Sequence, residues 1–423
     1  MKRLYTFLLL LFCCGLASAQ NMTRVRQTID TLTSETMHGR GYIFEGDAKA
    51  ASYIRNRFGA VGLQPLPQTD NYFQTFRFPV NRITETPFLK VNNIELRPGQ
   101  DFVAQAASPT SMGEAKILPL DTLIFSDATT AQKFFSRGFT KYALVYRQQE
   151  AKRLRELPVA YQQKLQQAKV HIVLQRGLLT TVAQEQSSVP VLEVLESSWP
   201  ARAKKIRYSI QAELIPGYNT QNVIGFVKGS INPDSFLVFS AHYDHLGGQG
   251  KDVYFPGAND NASGTAMLLE LAAYYGQPEH QPRYSIAFMA FTAEEAGLVG
   301  SHYYVQHPLF PLAQIRFLVN LDLLGTGSEG MMAVNGKIHE QEFDLLQYIN
   351  TRHHYLPQIK SRGKAANSDH YYFSEAGVPS FFFYTLGGTA AYHNVNDYAS
   401  QLPLTKFPEV FQLLTDFAAA LQK

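Results

Sequence analysis

The chain has 423 residues, 45% of them hydrophobic, which is too long for one average domain and rich enough for a large core, so it fits one large α/β domain with an insertion, or two domains. A formal net charge of +3 gives no electrostatic basis for binding nucleic acid or an anionic membrane surface. The only cysteines, Cys13 and Cys14, lie near the amino terminus, which excludes disulfides and thiolate metal ligands from the rest of the chain.

Met1 to Ala19 reads as a signal peptide: a basic start, an apolar run from Leu4 to Leu16, and Ala17-Ser18-Ala19 in the small-x-small form of a cleavage site. The run is too short to span a bilayer, and no later segment is long and apolar enough for stable membrane insertion. Phe12 before Cys13 disfavours processing to a lipid-anchored cysteine. The expected product is exported, periplasmic or extracellular, and begins at Gln20.

Residues 20–83 are expected to form amino-terminal helices and an edge strand of the main domain. The break is at His38-Gly39-Arg40-Gly41, and a second helix runs from Asp47 to about Val61 with Ala51, Ile54, Phe58 and Val61 on one stripe. The pair reads as packing on the main sheet, with no catalytic role for His38 or Arg40. Tyr72 to Val80 alternates as an edge strand does. Residues 84–216 change texture, with short strand-like runs and a Gln-, Lys- and Arg-rich stretch from Gln148 to Lys169 that reads as a solvated helix, interrupted or kinked by Pro158. We read them as an inserted, smaller, β-rich domain that lids the cleft, restricts substrate length or docks a partner; the sequence does not choose among these.

Residues 217–423 resume the core. Asn222 to Val227 reads as a strand, and Phe236 to Ser240, Ser285 to Phe291 and Ile315 to Asn320 each have the length and composition of a strand buried on both faces. Thr265 to Tyr275 is a helix beginning just after Asp260, so its positive end favours a carboxylate there. Met331 to Val334 and Pro379 to Tyr384 are further strands, His339 to His353 is a helix, and Val410, Leu414, Phe417 and Leu421 lie in register on the last one. The fold class expected is α/β: a mostly parallel mixed sheet with helices on both faces.

Each buried run ends in residues a divalent cation binds: His242 and Asp244, then Asp260 in the following loop, then Glu294 and Glu295, then Asp322. In open α/β sheets, ligands bind beyond the carboxyl ends of the strands, so these groups converge. Two zinc ions sharing a bridging carboxylate and water each need roughly two more N or O ligands, which one His and one carboxylate per ion would supply. His242 and His393 supply the imidazoles, Asp322 and Glu295 the terminal carboxylates, and Asp260 the bridge. Glu294 is left over, as a general base must be, although spacing alone does not say which of Glu294 and Glu295 takes which task. Asp244 and Asp397 are placed to accept the second ring N–H of His242 and His393. His245 reads as a loop or supporting group, Asp369 and His370 as cleft wall, and Tyr384 or a backbone N–H at Gly387-Gly388 as an oxyanion donor.

The segments AHYDHLG, GANDNASGT, TAEEAGLVGS, NLDLLG, SDHYYF and YHNVND, in that order, resemble the secreted bacterial di-zinc aminopeptidases. Their clan also holds glutamate carboxypeptidases, the transferrin receptor ectodomain and glutaminyl cyclases. MHGRGYIFEGDAKAASYIRNRFGAVGLQP looks like that family's amino-terminal helices, and the insertion loosely resembles a protease-associated domain. The resemblance implies a zinc-exopeptidase-like fold and two Zn²⁺ per chain, with Co²⁺ or Mn²⁺ as substitutes. It places His242 and Asp322 on one ion, Glu295 and His393 on the other, and Asp260 between them, with Glu294 as general base and Asp244 orienting His242. Thr292-Ala293 and Leu323 depart from the usual residues and affect pocket shape, not the ligands. The function implied is removal of amino-terminal residues from peptide substrates. The alternatives are a carboxypeptidase using Arg362 and Lys364 to hold a substrate carboxylate, a single-zinc glutaminyl cyclase, and an inactive binding ectodomain. The sequence is silent on oligomeric state.

Overall fold

A computed structural model of the chain describes residues 20–67, 69, 71–388 and 391–423. The expected signal peptide, Met1 to Ala19, lies outside the described residues.

The main sheet has nine strands. Four neighbours at its centre, Tyr284–Phe291, Asn232–His242, Ile315–Leu321 and Ser380–Leu386, run parallel. Antiparallel pairing begins on either side, at Ala212–Val227 on one flank and Gly330–Val334 on the other. Alternate residues of the central strands serve opposite faces. Leu237, Phe239 and Ala241 face a core built with helices Met22–Leu32, Gly46–Ala60, Gly264–Tyr275, Glu340–His353 and Phe407–Ala420. Phe236 and Val238 face a smaller core that includes Tyr304 and Phe373 from helices Val299–Gln306 and His370–Glu375. Both faces are therefore apolar, which explains why these strands read as continuous hydrophobic runs.

Register brings the site together. His242 pairs with Phe291, so Glu294 and Glu295 follow at once beyond the neighbouring strand, and Ser240 pairs with Asn320, which sets Asp322 level with His242.

The second sheet has eight strands, from Phe88–Val91 to Lys205–Ile210 in the chain, and four of its central strands are parallel. Three short helices cover one face, and Pro158 separates two of them, Gln148–Arg155 and Val159–Leu165. Those two are the helix expected from Gln148 to Lys169, broken at Pro158; helix Ala128–Phe135 was not expected from the sequence. It is joined to the main sheet through Ala212–Val227, which pairs with Phe73–Ile83 along most of its length. A single strand thus runs unbroken through position 216, because its ladder to Phe73–Ile83 continues on both sides of a register shift between Ile215 and Tyr218. Among the described residues, no helix is long and apolar enough to cross a membrane.

Candidate metal centre

His242 closes its strand, its carbonyl held by the Thr265 hydroxyl at 2.9 Å. Ring Nε2 lies 3.3 Å from Asp260 Oδ1 and 3.4 Å from Asp322 Oδ1. Nδ1 is 3.1 Å from the backbone carbonyl of Asp244, so the tautomer with hydrogen on Nδ1 turns the Nε2 lone pair inward. The expected partner was the Asp244 carboxylate. That group stands 3.7 Å from Nδ1, where it helps to raise the ring's pKa, and it also accepts the backbone N–H groups of Glu294 (3.2 Å) and Glu295 (3.4 Å) and the Tyr42 hydroxyl (3.0 Å). Asp244 therefore shapes the turn that presents the two glutamates, a turn made tight by Ala293 at φ 55°.

Asp260 sits in the irregular turn Ala258–Ser263 that leads into helix Gly264–Tyr275. Asp397, expected beside the His393 ring, accepts the backbone N–H groups of Asn259 and Asp260 at 3.0 Å instead. It faces these turn amides because its own carbonyl is tied to Ala258 N–H at 3.0 Å. The turn is pinned from beneath by Arg40, which is 0% exposed and spends all its donors on carbonyls. Nε reaches Tyr243 (2.8 Å), Nη1 reaches Leu32 (2.9 Å) and Pro256 (2.7 Å), and Nη2 reaches Gly257 (2.7 Å) and Asp260 (3.2 Å).

The second oxygen of Asp260 looks the other way. His393 Nε2 is 3.1 Å from Asp260 Oδ2 and 3.1 Å from Glu295 Oε2, while Glu295 Oε1 is held by His245 Nδ1 at 2.7 Å. Asp260 thus stands between two donor pairs, His242 with Asp322 on Oδ1 and His393 with Glu295 on Oδ2. Asp322 Oδ2 accepts from Ser368 at 3.2 Å, whereas its buried Oδ1, turned to His242, has no hydrogen-bond partner.

The spacings of His242, Asp260 and Asp322 fit a cation. Tetrahedral ligands about 2.0–2.2 Å from an ion lie roughly 3.3–3.6 Å from one another, and imidazole with carboxylate is a donor set suited to zinc. An orphaned carboxylate oxygen beside an imidazole nitrogen that is not bonded to it is what such a site leaves in the protein.

The electrostatics separate the two glutamates. Burial opposes charge on His242, yet Asp322 and Glu294 raise its pKa well above the usual value. Burial likewise opposes charge on His393, and Asp260 and Glu295 overcome it, raising the ring to about 10. Asp260 is drawn well below the carboxylate range against its burial by His242 and His393. Glu295 falls to about 2, with burial and Asp260 opposing and His245 and His393 prevailing. Glu294 goes the other way. Burial raises it, His242 opposes, and Glu295, Asp369 and Asp322 raise it further. Unlike Glu295, it is held by no imidazole hydrogen bond.

Glu294 lines a cleft of about 210 Å³ with His242, Asp260, Asp322 and His393, walled by Leu323, Asn367, Phe382, Tyr384 and Tyr392. Tyr384 is where the sequence put it. Asp369 and His370 are not in the wall. Both are 0% exposed, because the short helix that begins there turns them inward, His370 against Phe382. The sequence reading missed Arg40 as a support of the site. The signal was its flanking glycines: a Cβ at Gly39 would come within 2.2 Å of Gly247 O, and one at Gly41 within 2.4 Å of Gly247 Cα.

Residues 222–418 match the family model described as Peptidase family M28. Aminopeptidase YwaD of Bacillus subtilis is 29% identical over 201 residues, 46% of this chain and 42% of that protein. The chain thus spans less than half the length of that curated relative. A solved zinc aminopeptidase from Bacillus subtilis superimposes with a TM-score of 0.69 at 20% identity, covering 94% of each chain. A peptidase M28 precursor from Shewanella amazonensis gives 0.71 at 16% identity, covering 96% of this chain and 94% of that one. These two likenesses establish the fold: an α/β mixed sheet of the kind found in those peptidase structures.

Proposed function

Residues 222–418 match the model of peptidase family M28, and from that premise we propose that the chain is an exported metallo-aminopeptidase with two zinc ions, acting on the free amino end of peptides. The observation that carries this reading is Asp260, whose two oxygens each face a different His and carboxylate pair. Asp260, Asp322, Glu295 and Glu294 together carry four negative charges when ionised, which two divalent cations neutralise. Export rests on the sequence of Met1 to Ala19.

When bound, such a pair of cations polarises the scissile carbonyl and lowers the pKa of water. The chain's residues do the rest. Glu294, fixed by its backbone bond to Asp244 and free of imidazole bonds, takes the proton from the attacking water and hands it to the leaving amine. Water adds to the carbonyl carbon, the C–N bond breaks, and acid and amine leave. Leu323, Phe382 and Tyr392 give the cleft an apolar wall that limits competing water.

The test is metal analysis of the purified chain with an assay on peptides blocked at one end or the other. Cleavage of carboxyl-blocked but not amino-blocked peptides is expected. The reverse pattern would make it a carboxypeptidase, for which Arg362 is the remaining candidate, since Lys364 is paired with Glu375. One zinc per chain with cyclisation of amino-terminal glutamine would make it a glutaminyl cyclase, and metal without turnover a binding ectodomain. Glu294→Gln should retain zinc and lose roughly 10²–10⁴-fold in kcat; full activity in that variant removes Glu294 as the base.

A further inference from the structure

The ligands are not held alike. His242 and Asp322 stand at or just beyond the ends of central strands, and Asp260 is pinned by Arg40 and Asp397. His393 lies at φ 52° among residues 391–398, which form neither helix nor strand. A non-glycine residue in that region is held there by its surroundings.

The surroundings come from the second sheet. The long connection between strands Val170–Gln175 and Val191–Leu195 leaves its own sheet and crosses to the metal centre. Thr180 N–H donates to the carbonyl of His393 at 3.1 Å. Gln184 Nε2 donates to the carbonyl of Ala296, the residue after Glu295, at 2.6 Å. His393 and Glu295 are the two groups that face Asp260 Oδ2 as a pair. Around these bonds, Leu178 and Val182 of the connection and Val103 of the same sheet pack with Leu246, Phe255 and Val395 of the main domain. The connection is anchored in turn by Asn81 N–H to Ala183 O at 2.8 Å and Gln186 to Asn81 at 2.8 Å.

We propose that the connection spanning Leu178 to Gln184 is a strap through which the inserted domain holds the His393 and Glu295 half of the metal centre, and so sets the affinity of that half alone. Long connections without regular structure are uncommon in compact domains and usually carry a function; here it is to hold a ligand loop that the main sheet does not reach. The proposal rests on the two-cation reading above.

Two variants cut the two bonds. Thr180→Pro removes the N–H, and Gln184→Ala removes the amide of an exposed residue, so the latter leaves folding untouched. Thr180→Ala keeps the N–H and is the control. In chelator competition, each cutting variant should weaken one zinc about three- to tenfold, the loss expected for one hydrogen bond, and leave the other zinc unchanged. In chelated protein, amide exchange at residues 391–398 should quicken in both cutting variants and in neither the control nor strand Asn232–His242. Unchanged affinity and exchange in both variants overturn the strap, as does equal weakening of both ions. A wild-type protein that binds no zinc sinks the peptidase reading instead, and the exchange experiment then decides the strap by itself.

Discussion

Arg40→Lys tests the account of the support beneath the metal centre. Burial lowers the pKa of Arg40 to about 10, with Asp260 and Asp397 opposing, so the guanidinium is charged at neutral pH and lysine keeps the charge. What lysine loses is donors. Arg40 satisfies five carbonyls at 2.7 to 3.2 Å, whereas an ammonium has three N–H groups on one atom. Two carbonyls lose their donor, and since Gly257 O also accepts from Ala262 N–H at 3.2 Å, at least one buried acceptor is left unpaired, so the expected loss is about 1–3 kcal/mol, against a total domain stability of about 5–15 kcal/mol. Because three of the five carbonyls, those of Pro256, Gly257 and Asp260, lie on or just before the turn that carries Asp260, zinc affinity should fall as well. Urea denaturation followed by circular dichroism in the presence of chelator gives the first quantity, and zinc titration the second. A variant within about 1 kcal/mol of wild type, which is less than one buried unpaired acceptor would cost, and with undiminished zinc affinity refutes the reasoning.

Further outcomes follow from other buried contacts. Gly257→Ala places a Cβ 2.2 Å from Asp260 O and 2.4 Å from the His245 ring at φ +61°; it should cost at least about 1–2 kcal/mol and reduce zinc content in a folded protein, measured together by thermal unfolding and metal analysis. Arg24 binds Glu270 through two bonds of 2.5 and 2.6 Å. Since Glu270 is buried and Arg24 partly exposed, Arg24→Met should destabilise by about 2–3 kcal/mol, below the figure for a fully buried pair. Adding Glu270→Gln should recover most of that loss, and a double variant no better than the single one would show the pair is not the cause. His171, in the second sheet, has its pKa lowered from 6.5, burial outweighing its bond with the Leu165 carbonyl. The unfolded chain therefore takes up the proton first, so this stability is present above pH 6.5 and lost as pH falls through the lower folded value. Urea midpoints at pH 5 and 7.5 should differ less in His171→Phe than in wild type; an unchanged difference removes His171 from the account.

Much of the architecture was legible because it follows from local pattern. Runs such as Ser285 to Phe291 have no polar face, so they are buried on both sides, and helix Gly46–Ala60 shows its stripe of Ala51, Ile54 and Phe58 directly. Once those strands are parallel, the polar residues at their ends meet, and His242, Asp260, Glu295, Asp322 and His393 do lie in one cluster. What the tertiary structure decided was direction and support. Glu294 and Glu295 are adjacent in sequence and chemically alike, and only the positions of His245 and His393 distinguish them. Asp397 holds backbone N–H groups and not an imidazole, and Asp244 holds them besides facing the His242 ring, because turns at Ala293 and Asp260 aim those amides at them. Arg40, Thr180 and Gln184 act on carbonyls far along the chain. A carbonyl is the same in every residue, so the pattern of side chains does not say which carbonyl is bound, and bonds of that kind become visible only when the fold brings their ends together.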